Sequence, residues 1–509
     1  MSAVRLSRLL APMVRVAPDQ DREVTGLTLH SGRVHPGDLF LAVAGTRGHG
    51  LAYLEEAVRK GAAAVAWEPA AGVSPPSAGV PLISVPGLRR EAGAIAARYY
   101  DEPSRRLPVL GVTGTNGKSS CTWLLARAVN AAGGDGAVIG TLGSGRPDEL
   151  ETGERTTPDP VNLQRRLSEL VDAGCTLVAM EVSSHALEQG RVSGTHFLLA
   201  LFTNLSRDHL DYHGDMAAYG RAKRRLFEYP DLQIAVVNVD DPFGRELART
   251  LPRGLRRVTY GVESRDADVR LDSLKLLPSG LVFDLLTPVG RAPVKSRLLG
   301  RFNAANLLAV AAALHALGWM AVRPPGPRRP PLAARPDAAR IAAWLADLPT
   351  VPGRMERLPR KPGRPLVVID YAHTPDALEH ALKALRSHTR GKLICVFGCG
   401  GERDTGKRPL MGALAERLAD RVYVTDDNPR GEDPDAIVQA VLGGMAMPAR
   451  AVVERDRDRA VAEAIAHAGE HDLVLLAGKG HETSQEIAGR RIDYSDRAAA
   501  ESALAGGGS

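Results

Sequence analysis

This sequence has few aromatic side chains, few cysteines and no long apolar run. Phe, Trp and Tyr together make up 4% of it, too little for the rings interleaved with basic residues that stack nucleic-acid bases. The four cysteines, Cys121, Cys175, Cys395 and Cys399, form no CxxC pair. That argues against a disulfide framework or a zinc ribbon and fits a reducing, cytoplasmic setting. No apolar stretch approaches the roughly 20 residues needed to cross a bilayer, so no membrane span is expected. The net charge of +6 comes from 65 Lys and Arg against 59 Asp and Glu. The arginines are spread along the whole chain. A general Arg bias with an anionic small substrate explains them better than a nucleic-acid partner.

At 509 residues, with 44% hydrophobic and 24% charged, the chain reads as soluble and globular, too long for one core. The basic, acid-free segment Arg5–Arg15 fits a transit peptide or a short amphipathic helix over Leu6–Val14. Its poverty in serine favours the helix. Three blocks follow. Residues 1–105 hold short apolar runs (Asp38–Ala44, Ala62–Trp67, Pro81–Val85) and a helical stretch, Tyr53–Lys60, as in a small α/β domain. Residues 106–350 open with the run Leu107–Val112, a glycine turn and a helical stretch Ser119–Ala132. Further buried-strand candidates lie at Ala137–Ile139, Thr176–Met180, Leu198–Thr203 and Ile234–Asn238, continuous runs of the kind a parallel sheet buries on both faces. From Asp268 to Leu299 the pattern alternates, which predicts antiparallel hairpins at an edge. The Pro/Arg-rich stretch Arg323–Pro336 reads as a surface linker. Residues 351–509 alternate strands (Leu366–Ile369, Leu393–Phe397, Val422–Val424, Leu473–Ala477) with helices, and Gly506–Ser509 reads as a flexible end or a non-native addition. The expected fold is α/β in three domains. A small N-terminal α/β domain precedes a central P-loop-type, mostly parallel sheet with an antiparallel edge and a C-terminal Rossmann-like, doubly wound domain.

The strongest local signal is Gly111-Val-Thr-Gly-Thr-Asn-Gly-Lys-Ser119, where a strand feeds a glycine turn and a helix begins. Backbone N–H groups of the turn and the helix N-terminus point at phosphate there. Lys118 would neutralise the β/γ-phosphates and Ser119 would offer its hydroxyl to Mg2+. The spacing departs from the usual P-loop: only Thr-Asn separates Gly114 from Gly117-Lys118.

That variant loop resembles the nucleotide loop of the Mur ligases and the related folylpolyglutamate synthases. Six further islands fall into the Mur ligase order: Glu181-Val-Ser-Ser-His-Ala-Leu187, Asn204-Leu-Ser-Arg-Asp-His-Leu-Asp211, Gly300-Arg-Phe-Asn-Ala-Ala-Asn306, Asp370-Tyr-Ala-His-Thr-Pro375, Asp427-Asn-Pro-Arg430 and Gly478-Lys-Gly-His-Glu482. The likeness runs from about Leu6 to Arg497. It implies a monomeric ADP-forming ligase of cytoplasmic peptidoglycan synthesis that joins a carboxylate to an amine with ATP and Mg2+. Its small-molecule substrates would be a UDP-muramyl dipeptide and meso-diaminopimelate.

The resemblance implies the following roles. Gly114, Thr115, Asn116, Gly117, Lys118, Ser119 and Ser120 would hold the phosphates, with Asn303 and Asn306 near the adenine, Arg354 near the phosphates and Asp370 at the ribose. Glu181 and His209 would ligate metal with Ser119, helped by Lys223 as a carbamate; Lys118, Glu181, His209 and Lys223 form the catalytic set. Leu29, Ser31, Thr46, Arg47 and Gly48 would meet the uridine diphosphate end, although 46–48 differ chemically from the family pattern. Thr156, Thr157, Ser183, Gln189 and Arg191 would meet the sugar and peptide. Asp427, Asn428, Pro429 and Arg430, with Arg403, Gly478 and Glu482, would bind diaminopimelate, Arg430 clamping the carboxylate that lysine lacks. Singly, each residue has an ordinary structural explanation: a cap, a turn or a solvated rim. Three rival readings stay open: folylpolyglutamate synthesis, lysine addition, and a P-loop switch or motor acting on nucleic acid.

Overall fold

A computed structural model describes residues 3–45, 48–153, 155–318, 332 and 334–506. Thr46, Arg47, most of the Pro/Arg-rich stretch and residues 507–509 lie outside them. The chain forms two compact units, Met1–Tyr260 with Ala312–Arg335, and Gly261–Ala311 with Pro336–Ser509.

The first unit opens with strand Val4–Arg5, paired antiparallel with Glu23–Val24, and a short helix, Leu6–Leu10, whose Leu6, Leu9 and Leu10 are buried. It stops short of the expected Val14 because Pro12 has no N–H to continue the helical ladder. Four parallel strands follow in sequential order, Gly26–Thr28, Asp38–Ala42, Ala64–Trp67 and Leu82–Ser84. In the larger sheet of this unit, Val109–Thr113 lies between Leu177–Glu181 and Phe197–Phe202. Gly136–Gly140 extends one side and Ile234–Asn238 and Arg256–Gly261 the other, all parallel. Every residue of the three central strands is buried, which explains their unbroken apolar composition. A hairpin, Gly143–Arg146 with Glu149–Glu151, closes one edge. Neither that hairpin nor strand Arg256–Gly261 is apparent in the sequence, since both lack an apolar run.

The second unit contains the predicted antiparallel ribbon, Val269–Leu277, Gly280–Thr287 and Gly290–Ser296, against which helix Ala338–Ala346 packs. Its second sheet has the order Glu356–Arg357, Leu366–Asp370, Leu473–Ala477, Leu393–Phe397, Arg421–Val424, Val452–Val453, parallel except for the first strand. One face buries Leu378, Leu382, Met411 and Ile437 from three helices; the other buries Ala460, Ala464, Ala500 and Leu504 from two. This is the doubly wound arrangement expected. Among the described residues no helix is long and apolar enough to cross a membrane.

Candidate active site

The loop after Val109–Thr113 opens at the carboxyl ends of parallel strands, between neighbours on both sides, the usual place for a ligand in such sheets. Gly114 (φ +148°) and Gly117 (φ +85°) bracket the turn. A Cβ on Gly114 would lie 1.9 Å from Thr203 Oγ1, so the chain passes there only as glycine. The adjoining strand end braces the loop. Thr115 N–H donates to Asn204 O at 2.8 Å, Asn116 N–H to Asn204 Oδ1 at 3.0 Å, and Thr203 Oγ1 to Asn116 O at 2.6 Å. Helix Lys118–Ala131 then starts without a side-chain cap. The first turn of a helix carries the positive end of its dipole, which favours an anion at that end. Ser119 and Ser120 lie in this first turn, and Lys118 Nζ folds over the loop onto Gly114 O (3.0 Å) and Thr115 O (2.8 Å).

Glu181 ends its strand in register with Val112 of the loop strand. Its side chain is buried above Gly140, where a Cβ would sit 2.4 Å from Glu181 Oε1. Thr141 N–H donates to that oxygen at 2.7 Å. A polar chain leads away from it. Thr157 Oγ1 donates to Glu181 O (2.8 Å) and accepts from Ser183 N–H (3.2 Å), Thr141 Oγ1 donates to Thr156 Oγ1 (3.1 Å), and Arg191 donates to Thr157 O (3.3 Å) and Gln189 Oε1 (2.9 Å). Arg155, Asn162 and Arg165 share a cavity of about 200 Å³ with His30 and Arg33. Ser31 itself bonds to the Glu56 carboxylate.

Beneath the phosphate loop, Lys223 is buried and donates to Gly114 O at 2.7 Å, the carbonyl Lys118 also uses. Burial, followed by the Lys118 charge, pulls its pKa from 10.5 down to about 6. Its Nζ stands 4.3 Å from the ring centre of Tyr219, whose hydroxyl lies 3.2 Å from Thr115 Oγ1. His209, in a left-handed conformation (φ +52°), packs its ring against His185 and Tyr219. Among the described residues no three His, Cys, Asp or Glu side chains form a self-sufficient metal cage. Single donors around a phosphate loop suit Mg2+, which takes its remaining ligands from phosphate and water.

The second unit carries a second cluster. Asp370, at the end of its strand, accepts the Met355 N–H at 2.7 Å. Burial raises its pKa while Arg354 opposes the shift. The Arg354 guanidinium lies 4.6 Å over the Tyr371 ring, its Nε buried with no hydrogen-bond partner among the described residues. Asn303 and Asn306 lie one turn apart on helix Arg301–Gly318 and are joined by a 2.9 Å bond. Arg430, also left-handed (φ +57°), pairs its backbone with the hairpin Ser484–Ile487/Arg490–Asp493 through Glu486 O (3.0 Å) and Ala488 N (2.7 Å). Its side chain donates to Gly401 O at 2.8 Å and faces Glu486 at 3.3 Å. A Cβ on Gly400 would meet Arg430 Nη1 at 3.1 Å and Arg403 Cγ at 3.8 Å, so both arginines flank this glycine. Gly478 (φ +113°) abuts Asp427, and Lys479 bonds to Asp427, Asn428 and Glu482.

Sequence models of three Mur ligase domains match the chain: "Mur ligase family, catalytic domain" over 23–100, "Mur ligase middle domain" over 112–314 and "Mur ligase, glutamate ligase domain" over 353–480. The chain is 50% identical to the UDP-N-acetylmuramoyl-L-alanyl-D-glutamate–2,6-diaminopimelate ligase of Alkalilimnicola ehrlichii, over 98% of this chain and 99% of that protein. It belongs to the Mur ligase family. A protein of the same name from Xylella fastidiosa is 49% identical over 97% of both chains. A solved structure of such a ligase matches with a TM-score of 0.72 at 34% identity, covering 99% of each chain. The MurF ligase of Thermotoga maritima in complex with ADP shares the fold, with a TM-score of 0.59 at 20% identity over 90% of this chain and 94% of that one.

In this Mur ligase the predicted residues divide between the two units. Gly114–Ser120, Glu181, His209, Lys223 and the Thr156–Arg191 set lie in the first unit. Asn303, Asn306, Arg354, Asp370, Arg403, Asp427–Arg430, Gly478 and Glu482 lie in the second. Leu29, Ser31 and Gly48 sit in the N-terminal part of the first unit, while Thr46 and Arg47 are outside the described residues. Sequence reasoning missed Gly140, Tyr219, Tyr371, Arg155 and the bracing role of Thr203. It also missed Lys479, although that residue, like Tyr371, stands inside a quoted island. A lone glycine or tyrosine has no spacing signal; only packing shows what it supports.

Proposed function

We propose that this Mur ligase adds meso-2,6-diaminopimelate to UDP-N-acetylmuramoyl-L-alanyl-D-glutamate, consuming ATP and forming ADP and phosphate. The observation that carries this reading is the meeting of Lys118 and Lys223 on one carbonyl of the phosphate loop, beside Glu181. Lys118 brings positive charge to the place where a carboxylate and a triphosphate must approach each other, while Lys223 enters it as a neutral amine. The D-glutamate γ-carboxylate oxygen attacks the γ-phosphorus, and ADP leaves. The diaminopimelate amine then attacks the acyl carbon, phosphate leaves, and the nitrogen loses a proton as the amide forms.

Lys118 screens the approaching negative charges, and the uncapped helix end holds the phosphates. Ser119, Glu181, His209 and a carbamate on Lys223 are the groups that would hold Mg2+; when bound it offsets the repulsion between carboxylate and triphosphate. A lysine with its pKa near 6 is a neutral amine at pH 7. It can therefore attack CO2 and lose a proton, leaving a carbamate anion. In the second unit, Arg354 and Asp370 would orient the nucleotide with Asn303 and Asn306, and Arg430 with Arg403 would take the distal carboxylate of diaminopimelate. In this reading residues 1–105 bind the UDP-muramyl end, 106–350 ATP and 351–509 the amino acid. The protein acts as a cytoplasmic monomer in peptidoglycan precursor synthesis.

ADP formation from ATP and the UDP-muramyl dipeptide should require diaminopimelate, with L-lysine a poor replacement, and Lys118→Ala should lower it about 100-fold or more. Near-normal ADP release by that variant, or equal use of L-lysine, would contradict the reading.

A further inference from the structure

Lys479 is fully buried, yet its ammonium faces Asn428 Oδ1 at 3.0 Å, Glu482 Oε2 at 3.1 Å and Asp427 Oδ1 at 3.3 Å. Three acceptors match its three donors, which offsets the cost of taking the charge out of water. These bonds also fix the orientation of their partners. Asn428 Oδ1 accepts from Lys479 and from Glu486 N–H (2.9 Å), so its amide NH2 is turned towards Glu482 Oε2 at 3.2 Å. Glu482 Oε2 thus receives two donors, and its Oε1 faces the Tyr371 hydroxyl. The lysine itself is held from behind. Arg457, buried and paired with Asp496 at 2.8 and 2.9 Å, donates to Ala477 O at 2.9 Å, at the strand end from which the Gly478–Gly480 turn departs.

We propose that Lys479 is the positioning and charge-setting residue of the amino-acid pocket. It holds Asp427, Asn428 and Glu482 in one arrangement beside the Arg430 turn. It also cancels one of their charges: two carboxylates and one ammonium leave one net negative charge, whereas without the ammonium there would be two. A doubly negative cluster attracts a net-cationic amino acid, so Lys479 tilts the pocket towards an amino acid with a second carboxylate and against lysine. This rests on the amide-forming reaction proposed above.

The test uses full-length Lys479→Met and Lys479→Arg with ATP and the UDP-muramyl dipeptide. Hydroxylamine traps the acyl phosphate as a hydroxamate without any amino acid; ADP release is then measured with diaminopimelate or L-lysine. Both variants should form hydroxamate within about twofold of the unaltered protein. Lys479→Met should raise KM for diaminopimelate about 30-fold, with a smaller change in kcat. It should also move the diaminopimelate-to-lysine ratio of kcat/KM about 10-fold towards lysine, and Lys479→Arg should recover most of both effects. An unchanged KM and ratio in Lys479→Met would overturn the proposal. So would loss of hydroxamate formation in both variants, which would assign Lys479 to folding alone. Absence of hydroxamate with the unaltered protein would overturn the amide-forming reading itself, and this inference with it.

Discussion

Replacing Lys223 by methionine should change how stability depends on pH. In the fold this amine has a pKa of about 6 in place of 10.5, because burial disfavours the charge and the Lys118 ammonium repels it. An unfolded chain exposes the lysine to water, where it binds a proton below about 10.5. Between those values the unfolded state therefore binds one proton more than the folded state, and unfolding free energy rises with pH by up to ~1.4 kcal/mol per unit. This stability is lost as pH falls towards 6; below that both states are protonated and the slope vanishes. From pH 7 to pH 9 the unaltered protein should gain ~2.6 kcal/mol on the Lys223→Met variant, which has no proton to exchange there. The variant should also be the more stable of the two at pH 7, because the lysine must give up its proton to be buried and methionine need not. Urea unfolding of both proteins in bicarbonate-depleted, nucleotide-free buffer at pH 7, 8 and 9 measures this difference. Parallel stability lines would refute the reasoning, since they would mean that the amine keeps its proton in the fold.

Three further outcomes follow from the geometry. Gly140→Ala should cut ADP release ~100-fold with little loss of stability, because the new methyl displaces the Glu181 carboxylate by a fraction of its own length; unchanged turnover would show that this carboxylate need not be held in place. Arg430→Met should raise KM for diaminopimelate ~100-fold, about 2.7 kcal/mol, and leave KM for ATP unchanged; a uniform effect on both substrates would show that the arginine acts on the fold alone. Asp496→Asn should destabilise the second unit by ~3–5 kcal/mol by leaving the buried Arg457 without its counter-charge, while Arg457→Met combined with Asp496→Leu should cost less. Urea unfolding that gave equal losses for both would contradict the pairing argument.

Much of the catalytic chemistry is legible along the chain because it sits in short islands. A phosphate loop needs contiguous residues: the turn, the lysine and the helix start are neighbours in sequence, and the glycine spacing identifies the variant. Asp427–Arg430 is likewise a single turn, readable from its proline and its arginine. The long buried strands announce themselves as apolar runs. Strand Arg256–Gly261 does not, since it begins with two exposed arginines and is recruited by its neighbour's free edge. The Gly143–Glu151 hairpin is equally silent, being glycine-rich and partly exposed.

By itself, then, the sequence determined the α/β class, the phosphate loop, and the residue types able to handle phosphate and a dicarboxylic amino acid. These are local properties, set by composition, periodicity and spacing over a few residues. Only the tertiary structure decided which groups share a carbonyl, which carboxylate is tied down, and which lysine loses its charge. Lys223 in sequence is one basic residue among arginines; burial under Gly114, far from it along the chain, makes it a neutral amine. Lys479 is one letter of a motif until folding surrounds it with Asp427, Asn428 and Glu482. Electrostatic character depends on desolvation and on partners distant in sequence, and neither exists before the chain has folded.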